Sequence, residues 1–200
     1  CPLIIMNYES AELAKISINM YLISTVTTTN VISEVCEKID ANWNDISIAL
    51  KLDRRIGKYA YLEPGLGISG GNLERDLYTL QRLQETNHLN NKFILELKKK
   101  SISRKLWILN VIKKLKKKYK LKDISILGLA YKIGTHSIKN SPGIQLIKSL
   151  KGYKIRAFDP IVKKIDDIKN VKICKNSHET IKGCDILIIT TPGKEFKKIN

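Results

Sequence analysis

The stretch from Asp123 to Thr190 constrains the fold most, because its apolar residues come in short runs separated by turn and helix signals. Ile124-Ser125-Ile126-Leu127-Gly128 reads as a buried strand. Ser141-Pro142 opens a helix, with proline in the first turn where its missing N–H costs nothing, and Gly152 stops it after Leu150. Lys154-Ile155-Arg156-Ala157-Phe158 is a second strand, ended by Asp159-Pro160. Val171-Lys172-Ile173 is a short third, Ser177 to Lys182 a short helix, and Cys184 to Thr190 a strongly apolar fourth strand. Strands alternating with helices at this spacing predict a parallel sheet joined by crossovers, an α/β architecture.

The first half has a different texture. From Asn7 to about Lys118 the periodicity is helical. Leu13, Ile16, Met20, Ile23 and Thr27 recur at three and four, the stripe a buried helix needs, and predict a helix from about Ser10 to Ile39 that Asp40 and Asn42 break. Asn44 is placed to cap a short helix over Asp45 to Leu50. A turn-like segment follows, Asp53-Arg54-Arg55-Ile56-Gly57. Then Gly65-Leu66-Gly67-Ile68-Ser69-Gly70-Gly71 packs four glycines into seven residues, a loop whose backbone N–H groups can approach a ligand closely. Asn72 reads as the N-cap of a helix running to about Thr86. A further helix, with apolar positions Ile102, Leu106, Leu109, Ile112 and Leu115, fills the junction between the halves.

That junction carries the charge. The chain has a formal net charge of +17, and between Lys92 and Lys122 thirteen Lys/Arg face one acid, Glu96. A block like this suits polyanions, but it holds few arginines to read base edges and no nucleic-acid-binding pattern. A solvated helix face is the favoured reading, and nucleic-acid binding a minority alternative. Cys1, Cys36, Cys174 and Cys184 show neither a CxxC pair nor metal-ligand spacing with His88, His136 or His178, so no metal site is expected. Cys36 and Cys184 read as small core hydrophobes, and unpaired cysteines suit a reducing, cytoplasmic compartment. The longest uncharged run, Ile16 to Ser33, is half Ser, Thr or Asn, which argues against a membrane span.

Two pairs of polar residues stand out. Lys15 and Asn19 lie four apart on a predicted helix and share a face, so an ammonium and an amide could converge on an alkoxide or an oxyanion. Asn72 and Asp76 are likewise four apart. The plain alternatives are a solvent-facing lysine with a polar neighbour, and a cap followed by a favourable first-turn acid.

Four passages, in order, make the chain resemble the UDP-glucose/GDP-mannose dehydrogenases, which oxidise a nucleotide-sugar alcohol to its uronic acid with NAD. They are Ser10-Ala11-Glu12-Leu13-Ala14-Lys15 with Asn19, then Asp53 to Gly57, then the glycine-rich loop through Asp76. The fourth is Leu127-Gly128-Leu129-Ala130-Tyr131-Lys132 with Thr135 and Ser141-Pro142, followed by Phe158-Asp159-Pro160. The resemblance implies a helical central dimerisation domain (1–97), a lysine-rich connecting helix (98–122) and a Rossmann-like nucleotide-sugar-binding domain (123–200) that stops short of its full length. The family's N-terminal NAD domain is expected to lie outside these residues, since no G-x-G-x-x-G fingerprint is read in them.

The resemblance assigns roles residue by residue. Lys15 and Asn19 match the pair that stabilises the alkoxide or tetrahedral oxyanion. Asn72 stands where the family has the cysteine that forms the thiohemiacetal and thioester of the second oxidation, and an amide cannot do this. Asp76 is the implied base or water-holder. Arg55 matches an arginine that reaches the partner's substrate across a homodimer, and Gly65, Gly67 and Gly70 belong to a loop folding around sugar and nucleotide. Lys132 lies near the nucleotide, and Lys139 replaces a cofactor-contacting arginine, keeping the charge without the bidentate fork. The expected activity is NAD-dependent oxidation of a UDP- or GDP-linked hexose at its primary alcohol, for polysaccharide precursors, either stopping short of the acid at the aldehyde or reaching it through a hydrated aldehyde with Asp76 and Lys15 orienting water. The alternative is a non-catalytic nucleotide-sugar-binding or dimerisation module. Alone, these residues are expected to be inactive.

Overall fold

The computed structural model describes residues 3–165 and 168–199. Cys1 lies outside them. The chain divides into two compact units: residues up to Ile68 with Asn72–Arg104, and Ser69–Gly71 with Lys105 onward.

The first unit is helical. Helix α1 (Tyr8–Ile39) starts where Asn7 accepts the Ser10 N–H and ends at Asp40, whose left-handed backbone breaks the repeat. Helix α2 (Trp43–Leu52) is longer than expected and is capped by Asn42, not Asn44, because Asn42 Oδ1 accepts the Asn44 N–H at 2.9 Å. Trp43 Nε1 donates to the Leu62 carbonyl and holds the extended segment after α2. Helix α3 (Asn72–Thr86) begins with Asn72 as its first residue rather than as the cap in front of it. Met20, Ile23, Ile68, Leu77, Ile94 and Leu97 form the core, with Ile16, Leu73 and Leu80 at its margin. Lower on α1 the buried residues turn polar: Thr27, Thr29, Asn30 and Ser33.

The junction differs from the single helix expected over 98–122. Helix α4 (Lys92–Lys105) and helix α5 (Trp107–Lys118) are separated at Leu106. The buried residues, Ile94, Leu97, Ser101 and Arg104 on α4 and Ile108 and Ile112 on α5, recur at three and four, a helical spacing that includes two polar side chains and is offset from the apolar stripe expected. Ile102 and Leu106, expected on that stripe, are exposed.

The second unit is a four-stranded parallel sheet in the order β3-β2-β1-β4, from β1 (Asp123–Leu127), β2 (Lys154–Phe158), β3 (Val171–Ile173) and β4 (Ile186–Ile189). The architecture is therefore α/β, a helical region followed by a Rossmann-like parallel-sheet domain. Central β1 is buried on both faces at Ile124, Ser125, Ile126 and Leu127, and Ser125 satisfies its hydroxyl on the Thr180 carbonyl. Helix α6 (Pro142–Ser149) is capped by Ser141, and α7 (Ser177–Ile181) by Asn176. β4 is shorter than expected: Cys184 lies in the turn before it and is half-buried, not a core residue, whereas Cys36 is buried. Asp185 Oδ2 accepts the N–H groups of Lys122 and Asp123, fixing the entry to β1.

Candidate active site

Asp76 is the centre of the helical unit's polar cluster. It sits one turn into α3, and its carboxylate is 6% exposed. Lys15 Nζ, from α1, lies 3.0 Å from Oδ2, and Asn19 Nδ2, one turn further along α1, donates to the same oxygen. Arg75 takes the other oxygen, Nε and Nη2 each 3.0 Å from Oδ1. Burial pushes the carboxyl up, but hydrogen bonds from Lys15, Asn19 and Arg75 outweigh it and hold Asp76 below the usual carboxylate value. Lys15 and Arg75 themselves stay largely exposed, at 61% and 64%. The cluster is thus an ionised, buried acceptor that aims two donors of α1, with two cationic heads open to solvent. Asn72 lies one turn before Asp76 on the same helix and is exposed. Arg75 was not singled out in the sequence, since a neighbour of Asp76 on a helix points off its face; only its own basic character could have signalled it.

The glycines of the loop divide by role. Contrary to the sequence reading, a G-x-G-x-x-G spacing is present, at Gly65, Gly67 and Gly70, but no strand leads into it. Gly67 adopts φ +78°, and a Cβ there would meet the Ser101 carbonyl oxygen at 2.6 Å. Gly70 adopts φ +79°, and a Cβ there would strike the Tyr131 ring at 2.8 Å. Gly65 has open space where a side chain would go. Close packing on protein therefore demands glycine at 67 and 70, while 65 carries no such requirement. Arg55 does not join the Asp76 cluster: its guanidinium grips Asp53, Nε to Oδ1 at 3.0 Å and Nη2 to Oδ2 at 2.7 Å, while remaining exposed.

In the sheet unit, the C-terminal ends of β1, β2 and β4 converge. Asp159 Oδ2 accepts from the Leu129 and Ala130 N–H groups at 2.7 and 3.0 Å, and Oδ1 from Ile161 and Val162 at 2.8 and 2.9 Å. Burial raises its pKa, but the four backbone donors prevail and keep it low. Thr191 Oγ1 donates to the Ala130 carbonyl at 2.6 Å. A shallow pocket results, lined by Ala130, Lys132, Thr135, Asp159, Thr191 and Glu195 among others. It lies at the strand ends where β1 is flanked by β2 and β4, the topological switch point at which open α/β sheets take ligands. Lys132 Nζ lies 5.5 Å from the Tyr131 ring centre and is exposed. Lys139 is also exposed, its stem beside Gly71, and His136 is an exposed loop residue. Among the described residues no three His, Cys, Asp or Glu gather as metal ligands, and no helix is long and apolar enough to cross a membrane.

Comparison with known proteins bears on both units. The profile of the UDP-glucose/GDP-mannose dehydrogenase family, central domain, matches residues 9–100, and that of the same family's UDP binding domain matches residues 125–200. The chain belongs to the UDP-glucose/GDP-mannose dehydrogenase family. Over 204 residues it is 33% identical to a UDP-glucose 6-dehydrogenase of Rickettsia felis, covering 98% of this chain and 45% of that protein. The corresponding enzyme of Rickettsia prowazekii is 34% identical over 207 residues, covering 98% and 47%. A solved UDP-glucose dehydrogenase from Pyrobaculum islandicum superposes with a TM-score of 0.91 at 20% identity, covering 100% of this chain and 47% of that one. A UDP-D-ManNAc dehydrogenase structure from Pyrococcus horikoshii gives 0.80 at 22%, covering 98% and 45%. This chain spans about half the length of the relatives it matches. The family is one of NAD-dependent nucleotide-sugar dehydrogenases.

Proposed function

We infer that this chain supplies the central and nucleotide-sugar-binding parts of an NAD-dependent dehydrogenase that oxidises the primary alcohol of a UDP- or GDP-linked hexose, in the supply of polysaccharide precursors. The observation that carries this reading is the convergence of Lys15 and Asn19 on buried, ionised Asp76. An ammonium and an amide held there are donors preorganised for an alkoxide or a tetrahedral oxyanion. Asp76 serves as the acceptor that orients them, or a water beside them; its lowered pKa makes it a weak base. Lys132 faces the nucleotide, Arg55 the partner protomer's substrate, and the 65–70 loop the sugar. Tyr21, Val31, Val35 and Ile39, exposed on α1, support a homodimer through that helix. Nucleotide-sugar chemistry and the free thiols of Cys36, Cys174 and Cys184 suit the cytoplasm.

Oxidation of an alcohol needs a hydride acceptor, which NAD supplies when bound. The described residues do not by themselves fit it: the one G-x-G-x-x-G run lacks the strand that a dinucleotide turn needs, and Gly67 and Gly70 are spent on packing against protein. Lys139 is the single residue here assigned to the cofactor, and these residues alone form no hydride-transfer site.

Asn72 decides the product. It has no ionisable nucleophile, so the covalent route from aldehyde to acid is closed at this position, and the reaction stops at the aldehyde or its hydrate. The test is product analysis by the full-length protein with UDP-glucose and NAD. One NADH per trapped aldehyde is expected, and Asn72→Cys should yield two NADH per molecule of acid. A second reading, favoured by exposed Asn72 and by Lys139 in place of arginine, is a nucleotide-sugar-binding module without catalysis. Tight UDP-glucose binding with no NADH, in the natural protein and in Asn72→Cys alike, would establish it.

A further inference from the structure

Arg104 lies in the lysine-rich stretch, yet its side chain is 7% exposed, against 70% for Lys99 five residues earlier. A guanidinium is taken out of water only where partners receive it. Arg104 Nε donates to the Gly65 carbonyl at 2.8 Å, and Nη1 donates to Glu34 Oε1 of α1 at 3.0 Å. One turn earlier on α4, Ser101 Oγ accepts the Ile68 N–H at 2.8 Å and fills the space a Gly67 side chain would need. From α1, Asn30 Oδ1 accepts the Gly65 N–H at 2.8 Å. Side chains of two helices thus hold both polar groups of Gly65 and the N–H of Ile68. Between these anchors, Leu66 and Gly67 are half-buried, and their peptide groups bond to nothing among the described residues.

We propose that Arg104 and Ser101 are positioning residues, which fix the 65–68 loop so that the Leu66 and Gly67 peptide groups are presented, already ordered, to the hydroxyls of a nucleotide-sugar. The inference rests on the reading of this loop given under Proposed function. A loop anchored in advance loses less conformational freedom when ligand arrives, and that difference appears as affinity. Arginine suits the task because one planar fork bonds a carbonyl and a carboxylate together, which lysine does not reproduce.

The experiment uses the full chain with Arg104→Ala, Arg104→Lys and Ser101→Ala. Amide hydrogen exchange over residues 65–68 and UDP-glucose affinity by calorimetry are both measured well below the melting midpoint. In Arg104→Ala and Ser101→Ala, exchange at Gly65 and Ile68 should quicken and UDP-glucose binding weaken, each about tenfold. Added guanidinium ion should restore affinity to Arg104→Ala and not to Ser101→Ala, and Arg104→Lys should fall between Arg104→Ala and the natural protein. An arginine with a structural role alone would lower the melting temperature while leaving loop exchange and the folded protein's affinity within about twofold, and that result overturns the proposal. Should Arg104→Ala fail to fold, Ser101→Ala decides by the same two measurements. If the natural protein takes up no UDP-glucose, the functional reading fails, and unchanged exchange in the variants would then overturn the anchoring itself.

Discussion

Asp76 shows how a buried charge is tolerated and what it does in return. Its two oxygens are shared among Lys15, Asn19 and Arg75, so its ionised form is favoured. Asp76→Asn keeps the shape and removes the charge; the folded protein should lose about 1–3 kcal/mol, read by chemical denaturation, because the donors left behind are only partly re-solvated. Oxidation of UDP-glucose should fall more steeply than binding, since Lys15 and Asn19 lose their orientation. A carboxyl whose pKa is depressed on folding stabilises fully above the unfolded value and loses that contribution as pH falls through the folded one. Acid should therefore begin to destabilise the natural protein below about pH 4, and Asp76→Asn should show a shallower slope there. An unchanged slope would mean that Asp76 is not held ionised. Lys15, Asn19 and Asp76 could be found in the sequence because helical spacing and family order both marked them. Arg75 could not, since it adjoins Asp76 in sequence rather than sharing its helical face, and Arg104 could not, since its burial sets it apart from exposed neighbours of the same charge only in the fold.

At the scale of elements, the strands and caps follow from local chemistry. Short apolar runs gave β1, β2 and β3 nearly to the residue, and Ser141-Pro142 marked the start of α6. The junction did not yield to the same reasoning, because its buried positions keep helical spacing from Ile94 to Ile112 and include Ser101 and Arg104, so the pattern marks no break at Leu106. Asp159 was visible as part of a motif, but its role as acceptor for four backbone N–H groups was not, since those donors come from two loops. Asp159→Asn places an NH₂ group against N–H donors and should cost about 2–3 kcal/mol in denaturant unfolding, with weakened UDP binding, as the loops after β1 and β2 lose their common anchor. Helix α1 offers a test of assembly. Val35 and Ile39 are 51% and 68% exposed on one side of it. Val35→Asp with Ile39→Asp should convert a dimer to a monomer in light scattering with little loss of helix signal, whereas an unchanged mass would place the dimer contact elsewhere.

For the whole molecule, the two units each have their own core, one around Met20, Ile23 and Leu77, the other around β1. The chain's two tryptophans fall one in each: Trp43 on α2 of the helical unit and Trp107 on α5 of the sheet unit. Trp43→Phe and Trp107→Phe therefore leave single reporters of separate unfolding events, and denaturant titrations of the two variants should give different midpoints. Ligand linkage sharpens the test. UDP, if it binds the sheet unit, stabilises that unit by the free energy of its own occupancy, about 2.7 kcal/mol at a hundredfold excess over its dissociation constant. The midpoint reported by Trp107 should then rise with UDP while that reported by Trp43 moves less. Equal shifts with UDP alone would mean that the two units unfold as one; a shift confined to Trp43 would place the nucleotide in the helical unit and refute its assignment to the strand ends of the sheet.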